Sequence, residues 1–150
     1  MENFDSVKDV LDFAIAEEMA AKEFYTGLAK RARNAAMREV FEEFAAEESN
    51  HRSILEHIKS GELEVSAEKI QDLKLSDMAE PVMPRPDMNY QDALTVAMHK
   101  EKQAFMLYTL LAKLCDDDKM RETFLMLAHE EAKHKLHFEI EYDEVVLKED

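Results

Sequence analysis

The sequence is poor in the residues that interrupt helices. Its 150 residues include only 2 glycines and 3 prolines, and all the prolines lie within residues 81–86. Long stretches contain neither residue and are rich in Glu, Ala, Lys, Leu and Met, which favour helices. These absences predict an all-α protein built from long helices with few tight turns.

Cysteine and long apolar runs are also scarce. Cys115 is the single cysteine, which excludes a disulfide framework or a Cys-x-x-Cys metal site within these residues. No apolar run approaches membrane-spanning length, and residues 1–5 are acidic instead of forming an apolar leader. We therefore expect a cytoplasmic protein with Cys115 packed in the core or at a helix end.

Positive charge is in short supply. The chain has 19 Lys and Arg against 34 Asp and Glu, a formal net charge of −15. Nucleic acids and anionic membrane surfaces need a basic face, so neither is an expected partner. Hydrophobic residues make up 46% of the chain, enough to build the core of a single domain over residues 1–150.

The most informative positive feature of the sequence is an internal repeat. Residues 11–58 align without a gap on residues 94–141, with 18 identities in 48 positions. Both copies carry the pattern Glu…Tyr…Glu-x-x-His. The Tyr follows the first Glu by 7 residues, and the Glu-x-x-His pair begins 30 residues after that first Glu. The copies are Glu18, Tyr25, Glu48 and His51, and Glu101, Tyr108, Glu131 and His134. An ungapped match of this length indicates a duplicated unit.

Each copy of the repeat predicts a pair of helices. We expect helices at about 6–32, 35–60 and 89–115, and a fourth that starts within 116–118 and frays after Tyr142. The halves, about 6–60 and 89–146, have short internal loops and so form two αα-hairpins. The crossover at 61–88, with a short helix at 67–75, is long enough to run the length of a four-helix bundle.

The predicted apolar stripe of every helix contains a glutamate. Phe105 and Tyr108 lie on such a stripe with Glu101. Buried carboxylates need partners, and two Glu with two Glu-x-x-His pairs are the ligand set of carboxylate-bridged di-metal sites in four-helix bundles. This ligation suits iron or manganese. The predicted ligands are Glu18, Glu48, His51, Glu101, Glu131 and His134.

The neighbouring polar residues receive less specific interpretations. Tyr25 and Tyr108 are either core residues or hydrogen-bond donors to a ligand of the other half. We expect the acids beside the ligands to face solvent, with a supporting role for one of them as the alternative. Those acids are Glu17, Glu47 and Glu130. The remaining histidines, which break the repeat and are expected at the surface, are His57, His99, His129 and His137.

The sequence resembles the ferritin-like di-iron superfamily, and most closely the rubrerythrin-like proteins. The resemblance is carried by Ala-Glu-Glu-Met-Ala-Ala-Lys-Glu-Phe-Tyr with Ala-Glu-Glu-Ser-Asn-His, and by Lys-Glu-Lys-Gln-Ala-Phe-Met-Leu-Tyr with Ala-His-Glu-Glu-Ala-Lys-His. It implies a ferritin-like bundle with one long crossover and two iron ions bridged by Glu48 and Glu131. The terminal ligands would be Glu18 and His51 for one iron ion, and Glu101 and His134 for the other.

Two departures from rubrerythrins proper bear on the reaction. The sequence has no rubredoxin-like cysteine motifs, so electrons are expected from a separate donor such as a rubredoxin-like protein. Rubrerythrins carry an extra ligand Glu one turn from the third-helix Glu, where this chain has Met98 and Ala104. The site is therefore expected to be a symmetric set of six ligands.

The resemblance favours an oxidoreductase that reduces hydrogen peroxide or dioxygen. The alternatives are a ferroxidase that handles or stores iron and a metal-free helical interaction module. A homodimer is the expected assembly, and the hairpins could remain within one chain or be exchanged between two.

Overall fold

The computed structural model describes residues 6–61 and 88–149. They form four helices, α1 (Val7–Lys30), α2 (Ala35–Ser60), α3 (Tyr90–Leu114) and α4 (Asp118–Glu149), and these residues contain no strand. The all-α four-helix prediction is confirmed, and the bounds of α1, α2 and α3 agree with it to within two residues. The predicted helix at 67–75 and nearly all of the crossover lie outside the described residues.

A polar side chain caps the start of each of the first three helices. Ser6, Asn34 and Asn89 accept the backbone N–H three residues further on, at 3.2, 2.8 and 2.7 Å. Each cap satisfies an N–H that has no partner within the helix and stabilises the helix by about 1 kcal/mol. The caps account for the agreement between predicted and observed helix starts.

The fourth helix extends well past the bundle's central layer. It was expected to fray somewhere after Tyr142, with its half of the repeat ending at about 146, and it runs to Glu149. Glu141 is 2% exposed and accepts two hydrogen bonds from Arg33, at 2.6 and 2.9 Å, and one from Tyr90 at 2.8 Å. Val145 is buried one turn later. These contacts with the α1–α2 turn and with α3 hold the last turns in place.

Two apolar clusters fill the bundle, one towards each end. The first contains Val10 and Leu11 of α1, Leu55 of α2, and residues from the end of α3 and the start of α4. The second contains the end of α1, the start of α2, the start of α3 and the end of α4. Hence α2 and α3 run in the same direction, and the chain from Gly61 to Met88 joins opposite ends of the bundle.

The helices pack as two hairpins. α1 packs chiefly on α2 and α3 on α4, while α1 also contacts α3. Of the residues predicted to face inward on α3, Phe105 is wrongly placed: its side chain is 41% exposed, whereas Leu107 is buried. Phe105 belongs to neither of the two apolar clusters. None of the described helices is long and apolar enough to cross a membrane.

Candidate metal centre

The structure brings all six predicted ligand side chains together in the layer between the two apolar clusters. Each helix contributes one glutamate, and α2 and α4 each add a histidine one turn later. Their exposures are only 0–2%, which is unusual for charged side chains. The six residues are Glu18, Glu48, His51, Glu101, Glu131 and His134.

The six side chains form two overlapping groups. One ligand atom from each of Glu18, Glu48, His51 and Glu131 lies within 4.8 Å of the others. The second group, with the same separation, consists of Glu48, Glu101, Glu131 and His134. Glu48 and Glu131 belong to both groups, so their carboxylates lie between the two positions that the groups surround.

The buried atoms that lack a hydrogen bond converge on the same place. Within the described residues there are six such side-chain atoms, one from each residue: Glu18 Oε2, Glu48 Oε1, His51 Nδ1, Glu101 Oε2, Glu131 Oε1 and His134 Nδ1. His51 Nδ1 lies 2.8 Å from Glu131 Oε1 without hydrogen-bond geometry. Buried polar atoms are normally satisfied, so six unsatisfied atoms in one layer call for a shared partner.

The pKa values of the buried groups are shifted because four carboxylates are crowded in an apolar layer. Burial and the neighbouring carboxylates raise the pKa of Glu48 and Glu131 well above the ordinary value. Burial lowers the pKa of His51, but the carboxylates of Glu131 and Glu18 outweigh it and raise that pKa to about 11. The surrounding negative charge therefore draws positive charge into this layer.

The two tyrosines hold the carboxylates of the opposite half. Tyr25 of α1 donates a hydrogen bond to Glu101 Oε1, and Tyr108 of α3 donates to Glu18 Oε1 at 2.5 Å. Burial and the adjacent carboxylate raise both phenol pKa values well above normal, so the hydroxyls remain donors. Each bond occupies one carboxylate oxygen and leaves Oε2 unsatisfied.

Glu47 and Glu130 were expected to face solvent, with a supporting role for one of them as the alternative; both are partly exposed, and both contact a ligand histidine. Glu130 accepts a hydrogen bond from His51 Nε2, and Glu47 accepts one from His134 Nε2. A carboxylate accepts only, so Nε2 of each imidazole carries a proton, and Nδ1 is the nitrogen that would bind a metal once its own proton is displaced. Carboxylate partners of this kind orient histidine ligands in metal sites.

One sequence signal distinguishes these two acids from Glu17. Glu47 and Glu130 occupy equivalent positions of the repeat, whereas Glu17 aligns with Lys100. Glu17 is half-buried and lines a small cavity between α1 and α3. The other predicted surface residues, His57, His99, His129 and His137, are exposed.

The donor set fits metal ions. Four carboxylate oxygens and two imidazole nitrogens, arranged around two positions and unsatisfied by the protein, match the preferences of divalent first-row metals. Two divalent cations would balance the four carboxylate charges. Met98 and Ala104, at the positions of the additional glutamate of rubrerythrins, are partly buried and offer no carboxylate.

A polar cavity on the α2–α4 face reaches His134 in this layer. It has a volume of about 150 Å³, and its polar lining residues are Glu43, Glu47, Glu130, Lys133, His134 and His137. On the His51 side, the repeat places Met126, Asn50 and Ile54 where this cavity has Glu43, Lys133 and His137. Met126 and Ile54 instead line a separate cavity of about 530 Å³, whose lining does not include His51.

The comparisons with known proteins agree with the fold and the buried cluster. The chain is similar over 92% of its length to a hypothetical protein from Pyrococcus furiosus, with 24% identity, 89% of that chain covered and a TM-score of 0.72. At this identity the likeness shows the fold. None of the curated proteins compared with the chain matches it. The Rubrerythrin family model matches residues 9–90 and 92–150. The chain therefore belongs to the rubrerythrin family.

Proposed function

We propose that the protein is a non-haem di-iron oxidoreductase that reduces hydrogen peroxide or dioxygen with electrons from a separate donor. The observation that carries the proposal is the convergence of six buried, unsatisfied donor atoms in two groups that share Glu48 and Glu131. Two iron ions held there would supply the electron pair that, with two protons, reduces hydrogen peroxide to two molecules of water.

Neighbouring residues already hold the donor side chains in position when no metal is bound. Tyr25 and Tyr108 fix one oxygen of each terminal carboxylate and leave the other available. Glu130 and Glu47 keep a proton on Nε2 and fix the ring orientation of the two histidines, so that Nδ1 is the nitrogen available to a metal. The rings of His51 and His134 are nearly parallel, 11° apart, with centroids separated by 6.3 Å. Such preorganisation lowers the cost of binding two like-charged ions close together.

The polar cavity is the proposed route for the oxidant. Its volume of about 150 Å³ accommodates a small polar molecule, and its walls reach His134. The equivalent positions over His51 include the apolar Met126 and Ile54. We propose that hydrogen peroxide or dioxygen enters beside His137. For the metal site itself, manganese is the proposed alternative to iron.

The electron donor is proposed to be a different protein. One cysteine cannot form a rubredoxin-like four-cysteine iron site within these 150 residues. A rubredoxin-like protein is a suitable donor, since it transfers single electrons that two iron ions can accumulate as a pair.

The test is anaerobic loading with ferrous iron followed by stopped-flow mixing with hydrogen peroxide or with dioxygen. We expect rapid oxidation of two iron ions per chain by one equivalent of peroxide, and repeated turnover when reduced rubredoxin is supplied. Oxidation without re-reduction, with iron accumulating far beyond two per chain in a closed multi-subunit shell, would instead establish a ferroxidase that stores iron. Failure to bind iron would leave a helical interaction module.

A further inference from the structure

The six ligands are matched between the two halves of the repeat, but the residues around the two ligand histidines are not. Phe44 of α2 stacks on the imidazole of His134, with ring centroids 4.1 Å apart and an angle of 24° between the planes. The residue at the equivalent position of the other half is Leu127, which has no ring. The repeat therefore supplies an aromatic ring for one metal position and an aliphatic side chain for the other.

The ring of Phe44 is itself held in place. Its side chain is only 6% exposed. The rings of His137 and Phe138 contact it edge-on, at centroid distances of 5.5 and 5.4 Å and interplanar angles of 68° and 79°. Edge-to-face contacts of this kind are favourable for aromatic pairs. The repeat equivalents of these two residues are Ile54 and Leu55, so aliphatic side chains replace these rings as well.

Two contacts restrain the imidazole of His134 from different directions. Glu47 accepts the hydrogen bond of Nε2 at the edge of the ring, and Phe44 covers its face. A hydrogen bond at one edge tolerates tilting of the ring, whereas a flat ring stacked on the face opposes it. The tilt decides where Nδ1 points, and this atom lies 3.1 Å from Oε1 of the shared Glu48. Phe44 therefore helps to keep Nδ1 directed at the metal position.

The size of this effect follows from the fraction of molecules in which the ring has the binding orientation. The apparent affinity of a site is its intrinsic affinity multiplied by that fraction. An aromatic pair favours its stacked arrangement by about 3- to 10-fold in population. A leucine packs against an imidazole without preferring one tilt of the ring, so Leu127 gives His51 no equivalent restraint.

We propose that Phe44 is a positioning residue for His134 and makes the metal position beside His134 the tighter of the two. The first divalent ion to bind is then held by His134 and Glu101 together with the two shared carboxylates, and the ion beside His51 follows. The proposal rests on the metal pair proposed above, but not on the reaction proposed for it.

The test measures the affinity of each metal position separately. His51→Ala leaves the position beside His134, and His134→Ala leaves the position beside His51. Each variant is titrated anaerobically with Co²⁺ in competition with a chromophoric chelator. We expect His51→Ala to hold its remaining ion about 3 to 10 times more tightly than His134→Ala does.

Phe44→Leu isolates the contribution of the ring, because leucine is the residue at the equivalent position. Added to His51→Ala, it should weaken binding of the remaining ion about 3- to 10-fold. Added to His134→Ala, it should change the affinity by less than about twofold, since the remaining ion lies at the other position. Phe44→Tyr keeps the ring and should preserve the tighter binding in His51→Ala.

Phe41→Leu is the matched control for loss of a buried ring from the same helix. Phe41 lies one turn before Phe44 and stacks on Phe138, with centroids 5.7 Å apart. Added to His51→Ala, it should leave the affinity for the remaining ion unchanged. Circular dichroism checks that every variant remains helical, and if Phe44→Leu unfolds the chain, the comparison of His51→Ala with His134→Ala still decides.

Three results would overturn the proposal without touching the metal pair. The first is equal affinity in His51→Ala and His134→Ala, or tighter binding in the latter. The second is an equal loss when Phe44→Leu is added to either variant, which would show that the ring only stabilises the bundle. The third is an unaltered chain that binds two ions while neither variant retains one. An unaltered chain that binds no Co²⁺ would instead refute the metal pair itself, and the proposal with it.

Discussion

Replacing Glu130 by Gln is expected to weaken metal binding beside His51, although Glu130 is not a ligand. Its carboxylate accepts the hydrogen bond of His51 Nε2 from the neighbouring helix. The amide oxygen of Gln can still accept that bond but carries no charge. The imidazole then becomes a poorer electron donor at Nδ1 and is held less firmly. The equivalent change in the other half is Glu47→Gln, which acts on His134.

The expected size follows from the exposure of the two acids. A hydrogen bond to a charged group contributes about 1.5–3 kcal/mol. The side chains of Glu130 and Glu47 are 34% and 39% exposed, so water screens part of that interaction. We therefore take the lower half of the range, about 1.5–2 kcal/mol, which corresponds to a loss of about 10- to 30-fold in affinity for one metal ion.

The assay is an anaerobic competition between the protein and a chromophoric chelator for a divalent metal. Glu42→Gln provides the control, because it removes one acid from the exposed side of the same helix as Glu47. The control should bind both ions as the unaltered chain does. The reasoning would be refuted if Glu130→Gln and Glu47→Gln bound both ions within twofold of the unaltered affinity.

Three further predictions concern the buried layer and the end of the bundle. Glu131→Ala should lose both metal ions, because its carboxylate belongs to both groups, whereas His134→Ala should retain one ion. Elemental analysis measures the number of ions, and two ions retained by Glu131→Ala would contradict the shared role. Tyr108→Phe should lower the Tm of the metal-free protein by about 3–12 °C, since a buried hydrogen bond to a carboxylate contributes about 1.5–3 kcal/mol; an unchanged Tm in calorimetry would count against that bond. Glu141→Ala should cost about 3 kcal/mol in urea unfolding, because it removes the buried acceptor of two hydrogen bonds from Arg33 and one from Tyr90. The exposed Glu144→Ala should cost less than about 1 kcal/mol, and equal losses would refute the difference.

The sequence predicts those parts of the protein that depend on spacing along one helix. Residues three or four positions apart share a helix face, so the inward stripes and the placement of Glu48 with His51 follow from the sequence alone. The caps at Ser6, Asn34 and Asn89 mark helix starts for equally local reasons. The repeat adds the one long-range inference, that two equivalent halves face each other.

Features that depend on which helix lies alongside were harder to predict. Glu47 is adjacent in sequence to Glu48 and therefore points about 100° away around the helix. Only the position of α4 reveals that this direction leads to His134. The end of α4 likewise depends on Arg33, which is distant in sequence. The exposure of Phe105 also depends on how the helices pack, although its repeat equivalent, Lys22, already indicated an exposed position.

The central claim, that the six buried residues hold a pair of metal ions, is tested most directly by counting metal. The chain is loaded anaerobically with ferrous iron, freed of weakly bound ions by desalting, and measured by elemental analysis together with protein concentration. The account predicts two ions per chain, with neither retained after Glu48→Ala. One ion or fewer in the unaltered chain, or two ions in the variant, would contradict it.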